Sequence, residues 1–240
     1  MKRWLPILVV AILVYGAPPG VQGASQAAKQ ELEMLRQDNI RLRTALEAVL
    51  AKSDLVRVED IDSAIVVDLR YATKNNFIGR AVYPTHVALL RRNTALKLAA
   101  ANAELMEQGY RIKLWDAYRP YHIQRELWQA AGDKRHFFAD PRYGSVHNRG
   151  AAVDVTLVDA QGREVEMPSD FDNFSGQGHR SWPMSAVAQA NLGLLTEAML
   201  LHGFQSLDFE WWHFEDSQWW KYPLLDMPLE MYPKTDYNSQ

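Results

Sequence analysis

The chain has 240 residues, 48% of them hydrophobic, and a formal net charge of −3 with no basic run. That apolar content suffices for one sizeable domain with appendages, and the charge balance argues against nucleic acid as a partner. There is no cysteine, which excludes disulfides, thiolate metal sites and a cysteine nucleophile.

Lys2 and Arg3 precede an apolar run from Trp4 to Tyr15, followed by Pro18-Pro19-Gly20 and Val21-Gln22-Gly23-Ala24. A charged start, a short apolar core and small residues describe a secretory signal peptide over residues 1–23. The chain is therefore expected to be exported, to the periplasm or another extracytoplasmic space. The run is short of the ~20 residues that cross a bilayer. An uncleaved membrane anchor is the alternative. No cysteine follows the small residues, so a lipoprotein is excluded.

Residues 25–52 lack Gly and Pro and are rich in Ala, Glu, Leu, Gln and Arg. Leu32, Asn39 and Leu46 fall seven apart, as do Leu35, Leu42 and Val49. This is a coiled-coil seam with an Asn at one core position, a pattern that favours two parallel strands and a homodimer through this segment. It lasts under three heptads, so a solitary spacer helix is the competing reading.

From residue 54 to 240 a single mixed domain is expected. Ala64 to Leu69 reads as a strand. Asn93 to Gln108 reads as a helix that Asn93 caps and Gly109 ends. Arg111 to Ala117 alternates like a strand, and Pro120 opens a helix through Ala131. Residues 132–146 read as a loop. Ala151 to Val158 is a strand, turned at Asp159-Ala160-Gln161-Gly162 into a hairpin with Arg163 to Glu166. Ser185 caps a helix running to His202, with Gly203 after it. A last strand spans Phe204 to Phe214.

The chemistry concentrates in Ser145-Val146-His147-Asn148-Arg149-Gly150-Ala151-Ala152-Val153-Asp154 and in Glu210-Trp211-Trp212-His213. Two imidazoles and one carboxylate could bind zinc, whose catalytic sites use three protein ligands and keep the fourth position for water. Glu210 remains as a spare carboxylate, suited to serve as general base. Three residues apart in a regular strand, Glu210 and His213 would face opposite ways. Both reach one metal only through a bulge or a turn near Trp211-Trp212. The plain alternative makes the tryptophans core and Glu210 a solvated charge. His86, His122, His136 and His202 read as ordinary surface or core histidines.

The pattern Ser-x-His-x-x-Gly-x-Ala-x-Asp followed by Glu-x-Trp-His resembles the zinc D,D-peptidases of bacterial cell-wall metabolism. Asp116-Ala117-Tyr118-Arg119-Pro120, Trp211-Trp212, Asp68 to Thr73 and Asn76-Phe77-Ile78-Gly79 narrow the resemblance to the D-alanyl-D-alanine dipeptidases, which include enzymes found with vancomycin resistance. The likeness runs from about Val56 to about Pro223. It implies one Zn2+ per chain on His147, Asp154 and His213, with Glu210 as base and Arg119 stabilising the oxyanion. An Arg119 that merely pairs with Asp116 or caps a helix is the other reading. By similarity, Asp172 holds the substrate ammonium together with Asp154 and a backbone carbonyl near Tyr71, and the Ser145 hydroxyl bonds its carboxylate. The implied fold is α+β, a mixed, mainly antiparallel sheet flanked by helices with the zinc site on the sheet. The implied reaction is hydrolysis of D-Ala-D-Ala to two D-alanines. A D,D-carboxypeptidase or endopeptidase trimming peptidoglycan stems is the sibling reading, favoured by export. A wall-binding module that has lost catalysis is disfavoured, because His147, Asp154, Glu210 and His213 are all present.

Overall fold

The computed structural model describes residues 26–232; the expected signal segment lies outside the described residues. Gln26–Ser53 forms one helix of 28 residues, α1. The chain divides into two units after Lys52, and each stands here on its own terms. Leu35, Leu42, Leu46 and Val49 of α1 are exposed. No helix among the described residues is long and apolar enough to cross a membrane.

The second unit begins with β1 (Leu55–Arg57) and a helical turn, α2 (Val58–Ile61), followed by β2 (Val66–Val67). Then come β3 (Leu89–Arg91), α3 (Arg92–Glu107), β4 (Tyr110–Asp116) and α4 (Tyr121–Ala131). The rest is β5 (Ala152–Asp159), α5 (Ala186–Leu201), β6 (Phe204–Ser206) and β7 (His213–Asp216). Five strands make one sheet in the order β2-β4-β5-β7-β6, and β1 pairs with β3 in a small second sheet. Among the described residues only β2–β4 is parallel; the other pairs are antiparallel. The mixed, mainly antiparallel α+β expectation therefore holds for the sheet.

β5 sits at the centre of the sheet, and Ala152 to Val158 are all buried. A strand covered on both faces reads as a continuous apolar run, and Thr156 and Asp154 are its only polar interruptions within that stretch. Helices α3 and α5 pack on each other; α3 lies against β4, and α5 against β6 and β5. Leu98, Ala101, Leu105, Leu195 and Met199 from these helices are buried with Ile112, Leu114 and Leu157 from the sheet. At about 25 cal/mol per Å² of apolar surface, this seam holds the sheet that carries the site.

Several elements differ from the sequence expectation. The strand over Ala64 to Leu69 shrinks to Val66–Val67, because the chain turns into a 3-10 helix at Arg70–Ala72. Asn93 does not cap α3: the helix follows directly on β3, with Arg91 at the cap position. The 132–146 loop contains a 3-10 helix, Gly132–Phe137. The Arg163–Glu166 hairpin arm makes a single bridge, Val158 to Glu164. The last strand splits into β6 and β7. Ser185, by contrast, caps α5 as expected, accepting from the Ala188 amide at 3.0 Å.

Candidate metal centre and active site

Strand register assembles the site. Asp154 on β5 is directly opposite His213 on β7 and opposite Asp116 on β4. Residues directly opposite in a sheet project to the same face. A bulge between Leu114 and Asp116 adjusts β4 at that level. His147 arrives on the 3-10 turn Val146–Arg149. That turn is tied reciprocally: Ser145 Oγ accepts from the His147 amide at 3.2 Å, and Asn148 Oδ1 accepts from the Ser145 amide at 2.7 Å. Gly150 ends the turn at φ +69°, where a Cβ would meet Leu55 at 2.7 Å and the Arg91 amide nitrogen at 3.2 Å. Glycine is required there for both backbone shape and close packing.

His147 Nε2, His213 Nδ1 and Asp154 Oδ1 form a tight triangle. The edges are 3.2 Å between the imidazoles, 2.9 Å from His213 to Asp154 and 3.4 Å from His147 to Asp154. Tetrahedral ligands 2.0–2.1 Å from a zinc ion stand about 3.3 Å apart. The donor set therefore fits a metal ion of that kind with little rearrangement. His147 Nδ1 donates to the Ala117 carbonyl at 2.7 Å, since a carbonyl only accepts. In the neutral ring that bond keeps the proton on Nδ1 and turns the Nε2 lone pair toward a metal. His213 Nε2 lies 3.4 Å from Glu215 Oε1.

The electrostatics call for a cation. Burial opposes charge on His213, yet hydrogen bonds to Asp154 and Glu215 push its pKa up to about 10. Burial works against the Asp154 carboxylate too, but the charge of His147 and hydrogen bonds from both imidazoles hold its pKa well below the usual carboxylate range. Glu210 behaves otherwise. Burial pushes its carboxyl up to about 7, against the pull of His213. Its Oε2 lies 3.9 Å from His213 Nδ1. A proton acceptor whose pKa lies near neutrality is well matched to general-base work.

The expected irregularity between Glu210 and His213 is a turn, closed by the His213 amide donating to the Glu210 carbonyl at 3.1 Å. Both tryptophans are buried, as the plainer reading had it. Trp211 packs edge-on to Trp115 and Trp212, with centroids 5.7 Å apart in each case. Glu210 is no solvated surface charge, however: only 17% of its side chain is exposed, and it lines the same cavity as the triangle.

That cavity holds about 300 Å³ and brings together Tyr71, Arg119, Ser145, His147, Asp154, Asp172, Glu210 and His213. Every residue singled out from the sequence thus borders one space. Tyr71 Oη donates to Asp172 at 3.0 Å, and Asp172 sits at φ +56°. Burial and the nearby Asp154 charge push the Asp172 carboxyl well above its ordinary range. Arg119 does pair with Asp116, through Nε at 3.1 Å and Nη2 at 2.5 Å. Nη1 donates to Gln124 at 2.7 Å, and the guanidinium lies over the Tyr71 ring at 5.2 Å. Pairing and facing the cavity coexist, because each guanidinium carries five donors.

Four residues at the site went unassigned in the sequence reading. Asp116 is fully buried and accepts from Arg119, Tyr83 Oη at 2.5 Å and the Ala117 amide. It stands inside the Asp-Ala-Tyr-Arg-Pro motif, which was signal enough. Glu215 lies two residues after His213, and strand alternation puts it on the same face. Gln124 and Tyr83 carry no such mark. Of the histidines set aside, His122 pairs with Asp226 and His202 with Glu104. His136 stands exposed, at the cavity edge beside Phe137.

A family model described as D-ala-D-ala dipeptidase matches residues 51–235. The chain is 36% identical over 174 residues to a D-alanyl-D-alanine dipeptidase of Escherichia coli, covering 72% of this chain and 90% of that one. To a D-alanyl-D-alanine dipeptidase of Enterococcus faecalis it is 31% identical over 192 residues, covering 71% and 90%. One from Streptomyces coelicolor is 28% identical, covering 67% and 90%.

Proposed function

Since the chain belongs to the D-ala-D-ala dipeptidase family, it is a metallopeptidase that hydrolyses D-alanyl-D-alanine, and we propose that its ion is a single zinc held by His147, Asp154 and His213. The observation that carries the ion and its ligands is the triangle of two imidazole nitrogens and one carboxylate oxygen with zinc-like edges. When bound, zinc supplies a Lewis acid that polarises the scissile carbonyl and acidifies water at the site.

The residues around that position divide the remaining work. Glu210 takes the proton of the attacking water and returns it to the leaving amine. Arg119 faces the developing oxyanion with those of its donors that Asp116 and Gln124 leave free. Fixed donors aimed at a developing charge need no reorganisation during the reaction. Asp172, oriented by Tyr71, receives the substrate ammonium, and the Ser145 hydroxyl bonds the terminal carboxylate. A free dipeptide carries both charges at fixed separation, so two anchors select it over a longer stem. We also propose that the chain is exported, on the strength of Lys2-Arg3 and the apolar run behind them.

Two outcomes test this reading. Chelator should abolish release of D-alanine from D-Ala-D-Ala, and zinc should restore it best among divalent ions. N-acetyl-D-Ala-D-Ala should turn over at least 100-fold more slowly, because it leaves the Asp172 carboxyl without its cationic partner, at roughly 3 kcal/mol on general grounds. Equal rates on the acetylated dipeptide or on a pentapeptide stem would return the assignment to a carboxypeptidase.

Arg119→Ala should lower kcat more than it raises KM. Its proposed contribution arises in the transition state, where binding lost appears in kcat. Steady-state kinetics on the dipeptide separate the two. A change confined to KM would place Arg119 in ground-state binding instead.

A further inference from the structure

The exposed face of α1 carries its own instructions for a partner. With Leu32, Asn39 and Leu46 at heptad position a, Leu35, Leu42 and Val49 fall at d. Leu35, Leu42, Leu46 and Val49 are between 39% and 71% exposed. Over the first two thirds of α1 the flanking positions are sorted by charge: the g positions hold Glu31 and Asp38, and the e positions hold Lys29, Arg36 and Arg43; further on, g holds Ala45 and Lys52 and e holds Leu50. Met34 and Ile40, also exposed, lie at c and b, outside the seam.

That sorting distinguishes the ways two such helices could meet. In a parallel pair in register, a g residue faces the e residue five places further on in the other helix. Glu31 then meets Arg36 of the partner subunit, and Asp38 meets Arg43 of the partner subunit. An antiparallel pair sets g against g and e against e: with the seams aligned, Arg36 faces Arg43, Asp38 faces Ala45, Asn39 faces Leu42, and only Glu31 finds an opposite charge, at Lys52. We propose that α1 pairs, parallel and in register, with the same helix of a second copy, making a homodimer held by the Leu/Val seam and specified by these crossed ion pairs. Asn39 then faces its own counterpart, the arrangement that fixes register and two-strandedness at some cost in stability. Within one helix, Asp38 lies 3.9 Å from Arg41 and Arg36 lies 3.9 Å from Glu33, all largely exposed. Such contacts are weak and exchange readily for an interhelical partner.

The seam spans under three heptads, so the association is weak and follows concentration. Sedimentation of the full chain should show a dimer at high micromolar concentration. Arg36→Glu combined with Arg43→Glu turns both flanks acidic and should raise the dissociation constant about tenfold or more. Glu31→Lys with Asp38→Lys turns both flanks basic and should do the same. Mixing the two variants should restore dimers. Orientation is read separately: the chain has no cysteine, so Leu46→Cys gives a single thiol. Under oxidation it should link to its own counterpart, which only the parallel register brings close. Dipeptidase activity should be unchanged in all of these, since no altered residue borders the cavity. A monomer at every concentration would overturn the proposal. So would a dimer indifferent to charge reversal, or a failure of Leu46→Cys to cross-link.

Discussion

Glu210→Gln is expected to keep its metal, keep its thermal stability and lose 10²–10⁴-fold in kcat, about 3–5 kcal/mol of barrier. The loss should lie at the upper end, because one carboxyl both takes the proton and gives it back. The substitution is isosteric and the group is buried, so packing survives. Its neutral form is already favoured by burial, which pushes the carboxyl up to about 7, so an uncharged amide strains nothing. Zinc content, a melting curve and turnover of D-Ala-D-Ala on the same preparation check all three parts. Loss of metal along with activity would make Glu210 a ligand and reassign the roles at the site.

Removing a ligand should act differently. His147→Ala and His213→Ala should each lose the bound metal, all measurable turnover and part of their stability. Asp154 is 3% exposed and rests on these two imidazoles. Taking one away leaves a buried carboxylate half-compensated, a change that typically costs 3–5 kcal/mol. Calorimetry offers a readout that does not depend on activity. Metal bound only by the folded state stabilises it by about 2.7 kcal/mol at 100 times its dissociation constant. Added zinc should therefore raise the wild-type melting temperature and leave both variants where they were. Full metal occupancy in either variant would refute the assignment of that ligand.

The parts of this protein legible in its sequence are those whose cause is local. A serine before a helical stretch bonds the amide three residues on, so Ser185 and α5 could be read directly. His147, Gly150 and Asp154 lie within eight residues, and that spacing alone marks a turn feeding a strand. Even the break in the last strand was deducible, because Glu210 and His213 cannot share a face without it. What was misread had non-local causes. Ala64 to Leu69 has strand-like residues, but only Val66 and Val67 find β4 to pair with before the chain turns. Pairing decides a strand more than propensity does.

The site itself is a product of tertiary structure. Which residue types were available could be read along the chain: two imidazoles, two carboxylates and an arginine. The sequence could not determine that Asp154 stands opposite His213, 59 residues away, because one residue of slip in that pairing would send the side chains to opposite faces. Nor could it show that Tyr71 reaches Asp172 across 101 residues, or that Asp116 grips Arg119 while Tyr83 bonds to it. Burial also arises only when the whole chain closes. Glu210 and Asp154 are the same chemical group in the sequence. Packing separates them, raising one toward neutrality by burial and holding the other ionised between two imidazoles. Local chemistry is written residue by residue, whereas register and dielectric environment belong to the folded whole.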